Sequence, residues 1–111
     1  MGRPLSDSER GVAARFLGRV RATFPKENVS GILFGSCARG EGRADSDLDL
    51  LVVVNTGDLA VRRMIFDLAY EEFLQTDVLV SPLVLSREAF AALKRTGRRL
   101  ARDIERDGVP V

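Results

Sequence analysis

The chain has 111 residues, of which 45% are hydrophobic and 30% charged, the composition of one soluble globular domain with a modest core. Seventeen basic and 16 acidic residues leave a net charge of +1, which offers no argument for a nucleic-acid or membrane partner. The absence of histidine and the single cysteine, Cys37, exclude Ser-His and Cys-His catalysis, an ordinary zinc site and any internal disulfide; the lone thiol fits a reducing cytoplasm.

The N-terminal MGRPLSDSERG carries no apolar run, so a signal peptide is not expected. Ser6-Asp-Ser-Glu9 fits a capping box, and Val12, Phe16, Val20 and Phe24 then recur every four residues. That spacing predicts an amphipathic first helix stopped near Pro25. Val29 to Phe34 reads as a short strand broken by Gly35. Leu48 to Val54 reads as a second strand, apolar on both faces and hence central; it is also the longest apolar stretch and too short to span a bilayer.

Asn55-Thr-Gly-Asp58 forms a turn and helix cap. Val61, Ile65, Leu68 and Phe73 give the next helix its apolar face. Asp77 to Leu85 reads as a third strand, in which Pro82 argues for an edge or a bulge. Ser86 caps one last helix, with Phe90, Leu93, Leu100 and Ile104 inward, ended by Asp107-Gly108. The order α-β-β-α-β-α predicts a single α/β (α+β) domain over residues 1–111. Its small mixed sheet of about three strands would carry helices packed on one face.

The stretch GSCARGEGRADSDLDLLVVV, residues 35–54, holds the chemistry. Side chains alternate along a strand, so Asp47 and Asp49 share a face while Leu48 and Leu50 take the other. Two neighbouring carboxylates repel unless a cation sits between them or they share a proton. Mg²⁺ is typically held by one or two carboxylates together with substrate phosphates, so the D-x-D pattern reads as a Mg²⁺ platform. The competing reading is a solvated strand entrance with capping aspartates. Gly35-Ser36 follows a strand at a turn whose exposed N–H groups suit phosphate, although an ordinary turn is the commoner case. Asp77 would complete a two-metal site if the third strand pairs beside the second. Asp45 competes with Asp47 for the first metal position, because Asp45 and Asp47 also alternate; the start of the apolar strand at Leu48 favours Asp47 and Asp49.

Gly35-Ser36, ten residues, then Asp47-Leu48-Asp49 resembles the G-S-x10-D-x-D signature of the polymerase-β-type nucleotidyltransferases. The string Gly-Ser-Cys-Ala-Arg-Gly-Glu, closing on Ser-Asp-Leu-Asp-Leu-Leu-Val, is similar to their short free-standing members, the minimal nucleotidyltransferases. The resemblance is strong over residues 29–54 and weaker through Asp77 and the C-terminal helix. It implies that Asp47, Asp49 and Asp77 bind two Mg²⁺ ions, with Asp77 helping to activate the nucleophile. It implies that Gly35 and Ser36 hold the β- and γ-phosphates of ATP or another nucleoside triphosphate, and that Arg39 touches phosphate. Short members of the family are paired with helical HEPN-type toxins, which implies an antitoxin that transfers AMP to a partner tyrosine, binds the partner, or both.

A non-catalytic binding subunit and a small-molecule transferase of the antibiotic-modifying kind are the other readings, and a homodimer or hetero-oligomer would supply the missing acceptor side. Arg87, Lys94, Arg95, Arg98, Arg99, Arg102 and Arg106 crowd the last helix. Glu88, Asp103, Glu105 and Asp107 dilute them, and no aromatic residues are interleaved for base stacking. A solvated face is therefore favoured over direct nucleic-acid binding.

Overall fold

A computed structural model describes residues 7–35 and 47–111. Helix α1 (Asp7–Thr23) buries Val12, Ala13, Phe16, Leu17 and Val20, the stripe that a 3.6-residue period brings to one side. Its last turn closes where the Thr23 hydroxyl donates to the Arg19 carbonyl at 2.8 Å and Pro25 starts a single 3₁₀ turn, Pro25–Glu27. Asn28, in the left-handed region with φ 50°, then turns the chain into strand β1 (Ser30–Phe34).

Strand β2 (Leu48–Val54) runs antiparallel to β1, with Ser30 opposite Val53 and Phe34 opposite Asp49. Asp58 caps helix α2 (Leu59–Thr76), its Oδ1 accepting the Val61 N–H at 2.9 Å. The helix ends where the Thr76 hydroxyl donates to the Glu72 carbonyl and Asp77 takes the left-handed conformation at φ 61°. Strand β3 (Val80–Ser86) lies parallel to β2, Leu48 beside Val80 and Val54 beside Ser86.

The chain from Ser86 onward differs from the single helix expected. Ser86 caps helix α3 (Arg87–Thr96), and Gly97, at φ 66°, ends it in a left-handed turn. Helix α4 (Arg99–Asp107) starts afresh and leads into a two-residue strand β4 (Val109–Pro110). Among the described residues the sheet therefore has four strands in the order β3-β2-β1-β4, mixed in direction. Pro82 lies in an edge strand, as expected, where a missing N–H is tolerated.

The expectation of helices on one face is corrected. Leu48, Leu50, Val52 and Val54 point to one side of the sheet and pack under α1 and α2. Leu51 and Val53 point to the other, where Ile104, Phe90, Leu93 and Leu100 cover them. Strand β2 is apolar in both registers, so an uncovered second face would leave Leu51 and Val53 in water; α3 and α4 remove that cost.

A second difference concerns α2. Phe73 is half-buried, and Glu72 instead sits fully buried on the inward face beside Val61, Ile65, Leu68 and Ala69. Among the described residues, no helix is long and apolar enough to cross a membrane.

Candidate active site

Because β2 and β3 are parallel and β1 is antiparallel to both, the end of β1 and the starts of β2 and β3 meet at one edge of the sheet. Asp47 stands just before β2 and is exposed; Asp49 is its second residue and half-buried. The alternation that sends Leu48 and Leu50 into the α1–α2 core sends Asp49 to the face of Leu51 and Val53. On the neighbouring strands Asp49 faces Phe34 and Ser81.

Gly35, the residue after β1, is held at φ 79°, a conformation only glycine adopts without strain. A Cβ there would run into the Asp49 carboxylate. The glycine thus serves two physical needs: the left-handed turn out of β1, and the close approach of that turn's backbone to the acidic strand. Burial pushes the Asp49 carboxyl above its ordinary value, and the neighbouring Asp47 pushes it in the same direction. A half-buried carboxylate beside a second carboxylate, with a peptide backbone against it, is a site that a divalent cation would relieve, and its oxygen donors suit Mg²⁺.

The structure brings together Gly35, Asp47 and Asp49. Ser36 and Arg39, expected to contact phosphate, and Asp45, the competing acidic position, lie outside the described residues. Asp77 is positioned differently from expectation. Strand β3 begins at Val80 rather than at Asp77, and the ladder neighbour of Asp49 is Ser81. Asp77 is the left-handed residue closing α2, its N–H bound to the Phe73 carbonyl at 2.8 Å. Two residues later the Leu79 carbonyl accepts the Leu48 N–H, at 2.9 Å, so Asp77 borders the acidic edge without entering the ladder. Among the described residues, no three His, Cys, Asp or Glu side chains stand close enough to hold one metal ion.

Sequence reasoning missed Ser81, a hydroxyl beside Asp49. Its only signal was the parallel register, which no local pattern reveals. It also missed the buried Glu72. Arg15 donates to Glu72 Oε2 from Nε at 3.0 Å and from Nη2 at 2.6 Å, and Arg19 donates to Oε1 at 3.1 Å. Burial raises the Glu72 pKa, but the hydrogen bonds from Arg15 and Arg19 outweigh it and hold the carboxyl below its ordinary value. This network ties α1 to α2 on the side of the sheet away from Asp49.

Among the basic residues at the C-terminal end, Arg87, Lys94 and Arg106 have partners within the described residues. Arg87 donates to the Asn28 carbonyl and to Asn55 Oδ1, Lys94 stands 4.6 Å over the Phe90 ring, and Arg106 bonds Asp103 and Asp107.

A sequence profile of the nucleotidyltransferase domain family matches residues 13–106. A curated relative is MJ0141 of Methanocaldococcus jannaschii, which is named as a protein adenylyltransferase. It is 37% identical over 57 residues, covering 50% of this chain and 58% of the relative, so the match spans little more than half the relative's length. Among solved structures, a toxin–antitoxin chain crystallised with AMP-PNP superposes with a TM-score of 0.59 at 21% identity, covering 95% of this chain and 72% of the other. A chain of the toxin–antitoxin MntA-HpeT gives 0.58 at 20% identity, with the same coverage. At that identity the likeness is one of fold. A structure described as that of a minimal nucleotidyltransferase gives 0.55 at 27% identity and covers 92% of this chain and 94% of its own.

Proposed function

The chain belongs to the nucleotidyltransferase domain family, and from that premise we propose that it transfers a nucleoside monophosphate, AMP from ATP, to a hydroxyl of a partner protein. The observation that carries this reading is the Asp47–Asp49 pair at the sheet edge, with Gly35 backbone packed on the Asp49 carboxylate. A fold with no cation to bind gains nothing from a half-buried carboxylate next to another.

In the proposed reaction an acceptor hydroxyl attacks the α-phosphorus in line. The bond to the bridging oxygen of the β-phosphate breaks, and pyrophosphate leaves with its electron pair. Asp47 and Asp49 would hold two Mg²⁺ ions, with Asp77 as the third carboxylate; bound there, the ions supply charge neutralisation at the phosphates and a lowered pKa for the attacking hydroxyl. Gly35, with Ser36 and Arg39 beyond it, would position the β- and γ-phosphates. Asp77 would take up the hydroxyl proton. Most of the rate would come from positioning and charge stabilisation.

The acceptor we propose is a tyrosine of a HEPN-type helical toxin, with this chain acting as its cytoplasmic antitoxin. The likeness of fold to MntA-HpeT chains and to a toxin–antitoxin chain with AMP-PNP supports a toxin partner and a nucleotide, and the name of MJ0141 supports a protein acceptor. One observation favours a second reading, a binding antitoxin without turnover: Asp77 closes a helix instead of standing beside Asp49 on the ladder.

The deciding experiment is intact mass of a HEPN-type helical partner protein after incubation with this chain, ATP and Mg²⁺. The expected result is a gain of one or more AMP units, absent with Asp47→Ala/Asp49→Ala. A stable complex without mass gain would establish the binding reading instead.

A further inference from the structure

Helix α2 carries two faces that obey different rules. Val61, Ile65, Leu68, Ala69 and Glu72 face the sheet. On the opposite side, Leu59, Phe66, Tyr70 and Leu74 are 63%, 52%, 60% and 64% exposed. With Arg63 they recur at steps of three and four residues, one continuous stripe about 22 Å long at 1.5 Å per residue. Single exposed apolar residues need no explanation, but a contiguous row with two aromatic rings marks an interaction surface.

The order of residues along the stripe points to what covers it. Turned end for end about a point between Phe66 and Asp67, the stripe superposes Leu59 on Leu74 and Arg63 on Tyr70. Self-complementarity of this kind is what a two-fold interface demands, since each patch must fit its own copy. Charge follows the same rule. The exposed cations Arg62 and Arg63 lie in the first half of the helix and the exposed anion Glu71 in the second, with Asp67 at the midpoint. An antiparallel pairing sets the basic half of one helix against the acidic half of the other, whereas a parallel pairing sets like against like.

We propose that the exposed stripe of α2 is a homodimer interface, in which two copies pack α2 against α2 antiparallel. Phe66 and Tyr70 of both copies fill its centre. Arg63 of each copy lies over the Tyr70 ring of the other, within reach of its Glu71. Leu59 meets Leu74 at both ends. The packing lies on the α1–α2 side of the sheet, while Asp49 faces the α3–α4 side, so both acidic edges stay open. This goes beyond the transfer reaction, and its test does not read that reaction.

The test is sedimentation equilibrium of the wild-type chain across the micromolar range, with Phe66→Glu/Tyr70→Glu beside it and circular dichroism confirming that each chain is folded. A wild-type dimer is expected, with association weakened about 30-fold or more in the double variant, as for central anchors of an interface. Arg63→Glu should weaken the dimer, and Arg63→Glu/Glu71→Arg should restore it; loss of the exposed Arg19–Glu71 pair costs little in itself. A monomeric wild type, a dimer indifferent to Phe66→Glu/Tyr70→Glu, or a monomer that the helical partner captures on this stripe would each overturn the second-copy assignment.

Discussion

Two carboxylates, Asp49 and Glu72, show opposite solutions to the burial of charge. Asp49 gains no cationic side chain within the described residues; burial and Asp47 hold its carboxyl above the ordinary value. Stability from such a group is fully present below its unfolded value, 3.8, and is lost as pH rises through the raised folded value. At neutral pH the ionised Asp49 therefore works against folding. Asp49→Asn is expected to raise the melting temperature of the metal-free protein at pH 7 and, on the Mg²⁺ site proposed above, to abolish the upward shift expected when Mg²⁺ is added to the wild type. Thermal scans with and without Mg²⁺ check both; a destabilised Asp49→Asn chain would mean that the carboxylate is structural.

Glu72 is the reverse case. Its side chain is 1% exposed, but Arg15 and Arg19, 52% and 32% exposed, bind both its oxygens. Removing both cations strands a buried carboxylate, so Arg15→Ala/Arg19→Ala should cost about 3–5 kcal/mol. Glu72→Met should cost less, because the two arginines can turn to water and the site is otherwise apolar. Urea unfolding of the two variants checks the asymmetry. The depressed Glu72 carboxyl contributes stability above its ordinary value of 4.5, lost as pH falls through the lower folded value. Acid titration of the wild type should show a loss below pH 4.5 that Glu72→Met lacks.

At the scale of elements, β2 organises the molecule. It is buried on both faces and pairs antiparallel to β1 and parallel to β3. Its first turn of register fixes the site, because a slip of one residue would send Asp49 into the α1–α2 core and Leu48 to the acidic face. The crossing of α1 over β1 is fixed at Gly31, where a Cβ would collide with the Leu17 side chain. Gly31→Ala is expected to destabilise by about 1–3 kcal/mol through overpacking. Gly31→Ala/Leu17→Ala should recover part of that loss if the collision is its cause. Denaturant unfolding of the single and double variants reads the coupling. Gly97 divides the C-terminal segment for a different reason. No side chain crowds it, and its left-handed φ alone breaks the helix that periodicity joins across Thr96 to Arg99.

The described residues form a sheet with a helix pair on each face, α1–α2 on one and α3–α4 on the other, and an acidic edge where β1 ends and β2 begins. Much of this follows from local sequence. Asp58 and Ser86 cap helices because their side chains satisfy N–H groups within three residues. Leu48–Val54 is central because both of its faces are apolar. The Asp47–Asp49 pair stands out because a two-residue repeat puts both carboxylates on one side. Each of these rests on interactions a few residues long.

What the tertiary structure decided depends on distant partners. Whether Leu51 and Val53 need a second cover depends on where α4 folds back, and Ile104 lies more than fifty positions away in the chain. The burial of Glu72 on an apolar face depends on two arginines of another helix. That Ser81 rather than Asp77 neighbours Asp49 depends on a parallel register set after an eighteen-residue crossover helix. Propensity and spacing act along the chain, whereas register, face cover and ion pairing act between segments brought together only by folding.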